Sequence, residues 1–188
     1  MRKIRWLFST MALALIIGVV SAPAGTAASG AAPDVRATDV STSSWGPQIT
    51  TFTTKEAWVR QCAAMHCGHH VVTKGTTVWG YCSTVNAGIR WNVVWTEDDR
   101  AGHIDVTAMN TPTSVPCDTA GVGPIRPTQE LWAHSCPSMG CGYGVMSPGH
   151  DVARLDVTPP REGRLWNLAL DHDSPNKNLV GFVDSAYL

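Results

Sequence analysis

Thr54-Lys55-Glu56-Ala57-Trp58-Val59-Arg60-Gln61-Cys62-Ala63-Ala64-Met65-His66-Cys67-Gly68 is answered 74 positions later by Thr128-Gln129-Glu130-Leu131-Trp132-Ala133-His134-Ser135-Cys136-Pro137-Ser138-Met139-Gly140-Cys141-Gly142. The register continues through Val71, Gly75 and Val78, which fall on Val145, Gly149 and Val152. After small differences in loop length, Trp91 and Asn92 meet Trp166 and Asn167, and Gly102 and Asp105 meet Gly181 and Asp184. An internal repeat of this length defines the unit that must fold, so it is read before any local motif. It also acts as an internal control: what one copy lacks, the shared fold does not require.

Within each copy the apolar residues alternate. Trp91, Val93 and Trp95 in the first and Trp166, Leu168 and Leu170 in the second follow the period of two expected of half-buried strands. Gly75 and Gly149 separate apolar runs as turn residues, and no helical period emerges. The expected fold class is all-β, with two tandem barrels of about five short antiparallel strands each, since so small a sheet must curl to bury a face.

The six cysteines follow the repeat. Cys62 and Cys67 recur as Cys136 and Cys141, so each copy most simply closes its own loop, leaving Cys82 and Cys117 to pair. Loop-closure entropy assigns about 2 kcal/mol to each short bridge and about 4 to the long one. Modules of this size have marginal cores, and disulfides compensate in oxidising compartments.

Export is expected from the first 28 residues. Arg2, Lys3 and Arg5 precede the apolar stretch from Trp6 to Val20 and a run of small residues, the pattern of a signal peptide cleaved between Ala24 and Ala28. The apolar run is shorter than the roughly 20 residues that cross a bilayer, so no membrane span is expected after cleavage. Residues 29–48 are a polar lead-in, 49–110 the first repeat, 111–126 a Pro- and Gly-rich linker and 127–188 the second repeat. Removing three cations from 14 leaves 11 against 15 acidic residues, a formal charge of −4. That balance excludes nucleic acid as a partner, because phosphate binding requires a cationic surface.

Leu131-Trp132-Ala133-His134-Ser135-Cys136-Pro137-Ser138, Val145-Met146-Ser147-Pro148-Gly149, Leu165-Trp166-Asn167-Leu168 and the closing Gly181-Phe182-Val183-Asp184-Ser185-Ala186-Tyr187-Leu188 resemble the bacterial Src-homology-3 (SH3-like) domain. The first copy matches more loosely, through Trp58-Val59-Arg60, Lys74-Gly75, Trp91-Asn92-Val93 and Gly102-His103-Ile104-Asp105. The chain departs from the family where a glycine-bearing loop is replaced by a cysteine pair in each copy. The resemblance implies a non-catalytic extracellular module that binds cell-wall peptidoglycan, its peptides or a protein partner.

Several residues are candidates for contact with such a ligand: His69, Trp79 and Tyr81 in the first copy, and Tyr143, His150 and Tyr187 in the second. Trp58, Trp132, Trp91 and Trp166 are expected in the cores, as tryptophans kept on the apolar side of both copies. Alternation from Val78 turns Trp79 and Tyr81 away from the core of their own copy, towards either a ligand or the other copy, with the contact between copies favoured. His66, His69 and His70 around Cys67 suggest zinc or copper, but the second copy keeps both cysteines without these histidines, so no metal and no cofactor is expected. The acidic segments Glu97–Asp99 and Asp171–Asn176 are expected as solvated hairpin tips. With every cysteine paired, no thiol remains as a nucleophile, and no enzymatic activity is expected. The two function classes in play are a wall-binding protein and a secreted protein-binding factor, either an inhibitor or an effector, with metal binding a weaker third.

Overall fold

In the computed structural model, residues 46–174 and 178–188 are described; the segment expected to be a signal peptide, most of the expected lead-in and the Pro175–Asn176 part of the second acidic segment lie outside them. The first repeat contributes β1 (Ile49–Phe52), β2 (Ala57–Arg60), β3 (His69–Val72), β4 (Thr77–Asn86), β5 (Ile89–Thr96) and β6 (Ala101–Asp105). The second contributes β7 (Val122–Ile125), β8 (Leu131–His134), β9 (Tyr143–Met146), β10 (Val152–Val157), β11 (Trp166–Asp171) and β12 (Leu179–Asp184). The sheets run β1-β4-β5-β6-β2-β3 and β7-β10-β11-β12-β8-β9, antiparallel throughout and identical in order. The chain is therefore all-β with two six-stranded antiparallel sheets. Each sheet has one strand more than the five expected, because the polar segment ahead of each repeat pairs along the sheet edge, β1 on β4 and β7 on β10.

Equivalent residues do equivalent work. Ala57, Val59, Val72, Val78, Val94 and Ile104 pack together in the first repeat, and Leu131, Ala133, Met146, Val152, Ala169 and Val183 take the same places in the second. Gly102 and Gly181 are required where one strand crosses another closely: a Cβ would lie 2.5 Å from the Arg60 carbonyl oxygen in the first repeat and 2.8 Å from that of His134 in the second. A β-bulge falls at Tyr81 between β4 and β5 and at the matching Leu155 between β10 and β11. By breaking the strict alternation, it lets both Tyr81 and Cys82 reach the same apolar cluster.

That cluster is the third and largest, and it belongs to both repeats. Tyr81, Cys82, Val93, Ala101, Cys117 and Ala120 meet Leu155, Trp166, Leu168, Leu170, Val180 and Phe182, with Trp79 and Trp95 packed against it. Tyr81 faces Leu155, Val93 matches Leu168 and Ala101 matches Val180, so each repeat offers the same sheet face to the other. Two backbone hydrogen bonds repeat this relation: Ala101 N–H donates to Ser135 O and Val180 N–H to Gln61 O, both at 3.0 Å. The arrangement is a pseudo-two-fold, self-complementary interface within one chain. The Tyr81 hydroxyl donates to Asp156 at 2.7 Å, and the Trp95 and Phe182 rings meet edge to face at 5.5 Å.

The disulfides join Cys62 to Cys67, Cys136 to Cys141 and Cys82 to Cys117. The third holds the segment after β6 on the first repeat, helped by Ser83 N–H donating to Val115 O at 2.7 Å and by Asn92, whose side chain bonds both backbone groups of Thr113. Three disulfides are compatible with an extracellular protein. Among the described residues no helix is long and apolar enough to cross a membrane.

His103 is a polar departure from this symmetry. It shares the β6 face with Ala101, at the position Phe182 occupies in the second repeat; it is wholly buried, and among the described residues neither ring nitrogen makes a well-formed hydrogen bond, the Arg60 backbone being near but poorly placed. Burial drives its pKa down from 6.5 to about 3, against a smaller upward pull from the Arg60 backbone. The folded state thus holds His103 neutral while the unfolded chain takes up a proton below pH 6.5, so stability is full above that value and falls as the pH drops towards 3. At pH 5 the loss amounts to about 2 kcal/mol. His103→Phe is expected to remove most of this acid loss in urea titrations at pH 5 and 7.5, whereas an unchanged pH dependence would place the sensitivity elsewhere.

Candidate functional site

The strand pair β2–β3 and its counterpart β8–β9 turn one face inward and the other to solvent. Ala57, Val59 and Val72 point into the core, so alternation sends Trp58, Arg60, His69 and Val71 to the opposite face. Trp58 and Trp132 are accordingly 46% and 47% exposed, which corrects the expectation that they are core residues. The apolar neighbours on both sides of each tryptophan, not the tryptophan itself, belong inside. Trp91 and Trp166 are buried as expected.

Each exposed tryptophan carries a stacked ring from the neighbouring strand. His69 lies 4.7 Å from Trp58 at an interplanar angle of 22°, and Tyr143 lies 4.8 Å from Trp132 at 13°. Beside each stack the stapled loop folds back in the same way: Gln61 N–H donates to Gly68 O and Ser135 N–H to Gly142 O. Arg60 reaches across its loop, donating to the Met65 and Cys67 carbonyls at 2.7 and 3.0 Å, with its guanidinium carbon 4.7 Å from the centre of the Trp58 ring. His134 holds the matching place, with Nδ1 3.2 Å from Cys141 O and its ring 6.5 Å from Trp132.

A groove opens between each stapled loop and the short 3-10 turn at the end of its repeat. In the second repeat it has a volume of about 470 Å³ and is walled by Trp132, Met139 and Tyr187, floored by Trp166 and edged by Glu130 and Asp184. In the first it is about 220 Å³, and Trp58, Met65, Ala108, Trp91, Glu56 and Asp105 stand at those same positions. Asp105 and Asp184 each cap the 3-10 turn, accepting from Thr107 and Ala186 N–H at 2.8 and 3.0 Å. The Arg164 guanidinium also hydrogen-bonds Asp184 and, with the Ala186 amide, holds its carboxyl below the usual aspartate range despite partial burial.

The six residues expected at a ligand site divide. Tyr187 (54% exposed) and Tyr143 (50% exposed) belong to the second groove and its stack, and His69 forms the equivalent stack in the first repeat. Tyr81 is buried and Trp79 partly buried between the repeats, so the contact between copies, the favoured of their two expected roles, is the one found. His150 is not among the residues that line the groove: its Nδ1 is bonded to the fully buried Asp171 carboxylate at 2.9 Å, and this hydrogen bond raises its pKa. Asp171 is thus no solvated hairpin tip, while Asp98 bonds His70 at 2.8 Å and Asp99 bonds Arg161 at 2.6 Å.

The histidines around Cys67 do not converge. His70 turns to Asp98 on the face of β3 opposite His69, and His69 is stacked on Trp58. His66 lies with Cys62 and Cys67 inside a 4.8 Å cluster, but both sulfurs are joined in a disulfide and offer no thiolate to a metal. The residues that sequence reasoning missed are Glu56 with Glu130 and Met65 with Met139. Their signal was present: the repeat keeps these pairs although neither core contains them.

Comparison with models of known protein families, with curated proteins and with solved structures finds no match. Removal of the buried floor and removal of the exposed wall are expected to differ sharply. Trp166→Ala should cost about 4 kcal/mol in chemical denaturation, and Trp132→Ala no more than about 1. Comparable losses for the two variants would show that Trp132 is a packing residue.

Proposed function

We propose that this chain is a secreted, non-catalytic binding protein made of two tandem SH3-like barrels, each presenting a groove for cell-wall peptidoglycan or its peptides. The observation that carries this reading is the recurrence of one groove, with its exposed tryptophan stack, methionine and carboxylates, at equivalent positions of both repeats. A folding requirement does not account for it, because an exposed tryptophan stabilises a core little, whereas exposed aromatic walls bordered by polar groups favour ligands.

Aromatic faces stack on the apolar faces of sugars and peptides, and the polar edges of the groove hydrogen-bond amides and hydroxyls. Two such sites held rigidly by the shared core would engage a repetitive polymer together, so modest single-site affinities combine into avidity. Disulfide bridges next to both grooves hold the loops in their binding shape and reduce the entropy lost on association.

Sedimentation with purified cell walls tests the reading. The mature chain is expected to pellet, Trp58→Ala and Trp132→Ala each to weaken retention by roughly tenfold or more, and the double variant to remain in the supernatant. A wild-type chain that stays entirely in the supernatant overturns wall binding and leaves an extracellular protein as the target. Release of soluble wall fragments would overturn the non-catalytic assignment.

A further inference from the structure

The two grooves are alike in framework but not in charge. The first supplies its own cations. Lys55 crosses it, donating to Thr107 Oγ1 at 3.2 Å, and the buried Arg60 guanidinium packs on Trp58 while donating to the Met65 and Cys67 carbonyls. In the second repeat these positions are Gln129 and His134, side chains shorter than the lysine and arginine they replace. His134 reaches the Cys141 carbonyl, and among the described residues the Met139 carbonyl, counterpart of the one Arg60 binds at 2.7 Å, receives no donor.

The acidic residues are kept while the cations are lost. Asp184 is matched by Arg164, and among the described residues neither Glu130 nor its counterpart Glu56 makes a hydrogen bond or ion pair, so the grooves differ in the cations that line them: Lys55 and Arg60 in the first, none in the second. The second groove is also the larger, about 470 against 220 Å³. Its lining therefore sets the Trp132 indole, Met139 and the Glu130 carboxylate together without a lysine or arginine beside them, and an aromatic ring, a carbonyl and a carboxylate are the kinds of group that recognise a guanidinium or ammonium. In the first repeat Arg60 already sits against the Trp58 ring and the Met65 carbonyl as an internal cation.

The geometry points to the second groove as a subsite for a cationic side chain, guanidinium or ammonium, of a peptide ligand, bound between Trp132, the Met139 carbonyl and Glu130. This rests on the reading of the grooves as ligand sites and adds a charge preference confined to one of them. The first groove, already occupied by Arg60, does not share that preference.

Titration of the mature chain with N-acetyl-arginine amide and N-acetyl-lysine amide, followed through the Trp132 indole N–H resonance, tests this directly. Both cationic probes are expected to bind about tenfold more tightly than the neutral N-acetyl-citrulline amide and N-acetyl-norleucine amide, and the preference should weaken as salt is raised. The lysine and arginine arms separate an ammonium from a guanidinium preference. Glu130→Gln is expected to abolish the preference and Glu56→Gln to leave it intact. His134→Arg would supply the cation from inside and block the probes; because His134 is buried, the exposed Glu130 variant carries the test if this one does not fold.

Equal binding of neutral and cationic probes, or a preference that survives Glu130→Gln, overturns the inference. The two readings fail separately. Walls retained through Trp132 without any cation preference would sink this subsite alone, and a cation preference in a chain that does not pellet would sink wall binding alone.

Discussion

Burial of one sheet face of each repeat against the same face of the other is the constraint on which the rest of the molecule depends. Small sheets of this kind cannot bury enough apolar surface alone, and the private cores here are made chiefly of Ala, Val and Leu. The large side chains, Tyr81, Trp95, Trp166 and Phe182, are placed between the repeats instead. Because equivalent residues meet, one duplicated surface serves both sides, and the matching bulges at Tyr81 and Leu155 show how closely the two halves have been kept alike.

This arrangement decides which surfaces remain for function. With β4, β5 and β6 facing β10, β11 and β12 across the shared cluster, the outward faces of β2–β3 and β8–β9 are left to solvent, and these carry Trp58 and Trp132. Trp166 links the two regions, since the same buried ring contributes to the shared cluster and floors the second groove. The grooves have diverged by a few substitutions on a common frame, and exchange of Arg60 for His134 and of Ala108 for Tyr187 accounts for much of their difference in charge and shape.

Much of this was legible in the sequence, for a specific reason. Duplication exposes equivalent positions without any alignment to other proteins, and the cysteine pairing followed from it; the all-β class followed from the alternation of apolar residues, while alternation left Trp79 and Tyr81 open to either a ligand or the other copy, and the structure places them between the repeats. The sixth strand of each sheet was not legible, because Ile49–Phe52 and Val122–Ile125 are short, polar or Pro-bearing edge strands without the alternation of a buried one. The exposure of Trp58 and Trp132 was misjudged because a tryptophan kept in both copies reads as core. The better guide was its flanks, since Ala57 and Val59 are already the inward pair. Asp171 was taken for a solvated tip because its partner His150 lies 21 residues away in the chain, across a strand pairing that composition does not reveal.

The central claim is that two repeats fold as one body through a shared core. Native-state hydrogen exchange at Ala101 and Val180, whose amides make the reciprocal bonds across the interface, tests it most directly. The account predicts that both amides exchange only by global unfolding, with the same free energy as the Val78 and Val152 amides inside the individual sheets. Exchange at Ala101 and Val180 by a cheaper opening, while Val78 and Val152 stay protected, would mean that the halves separate as independent units and would contradict it.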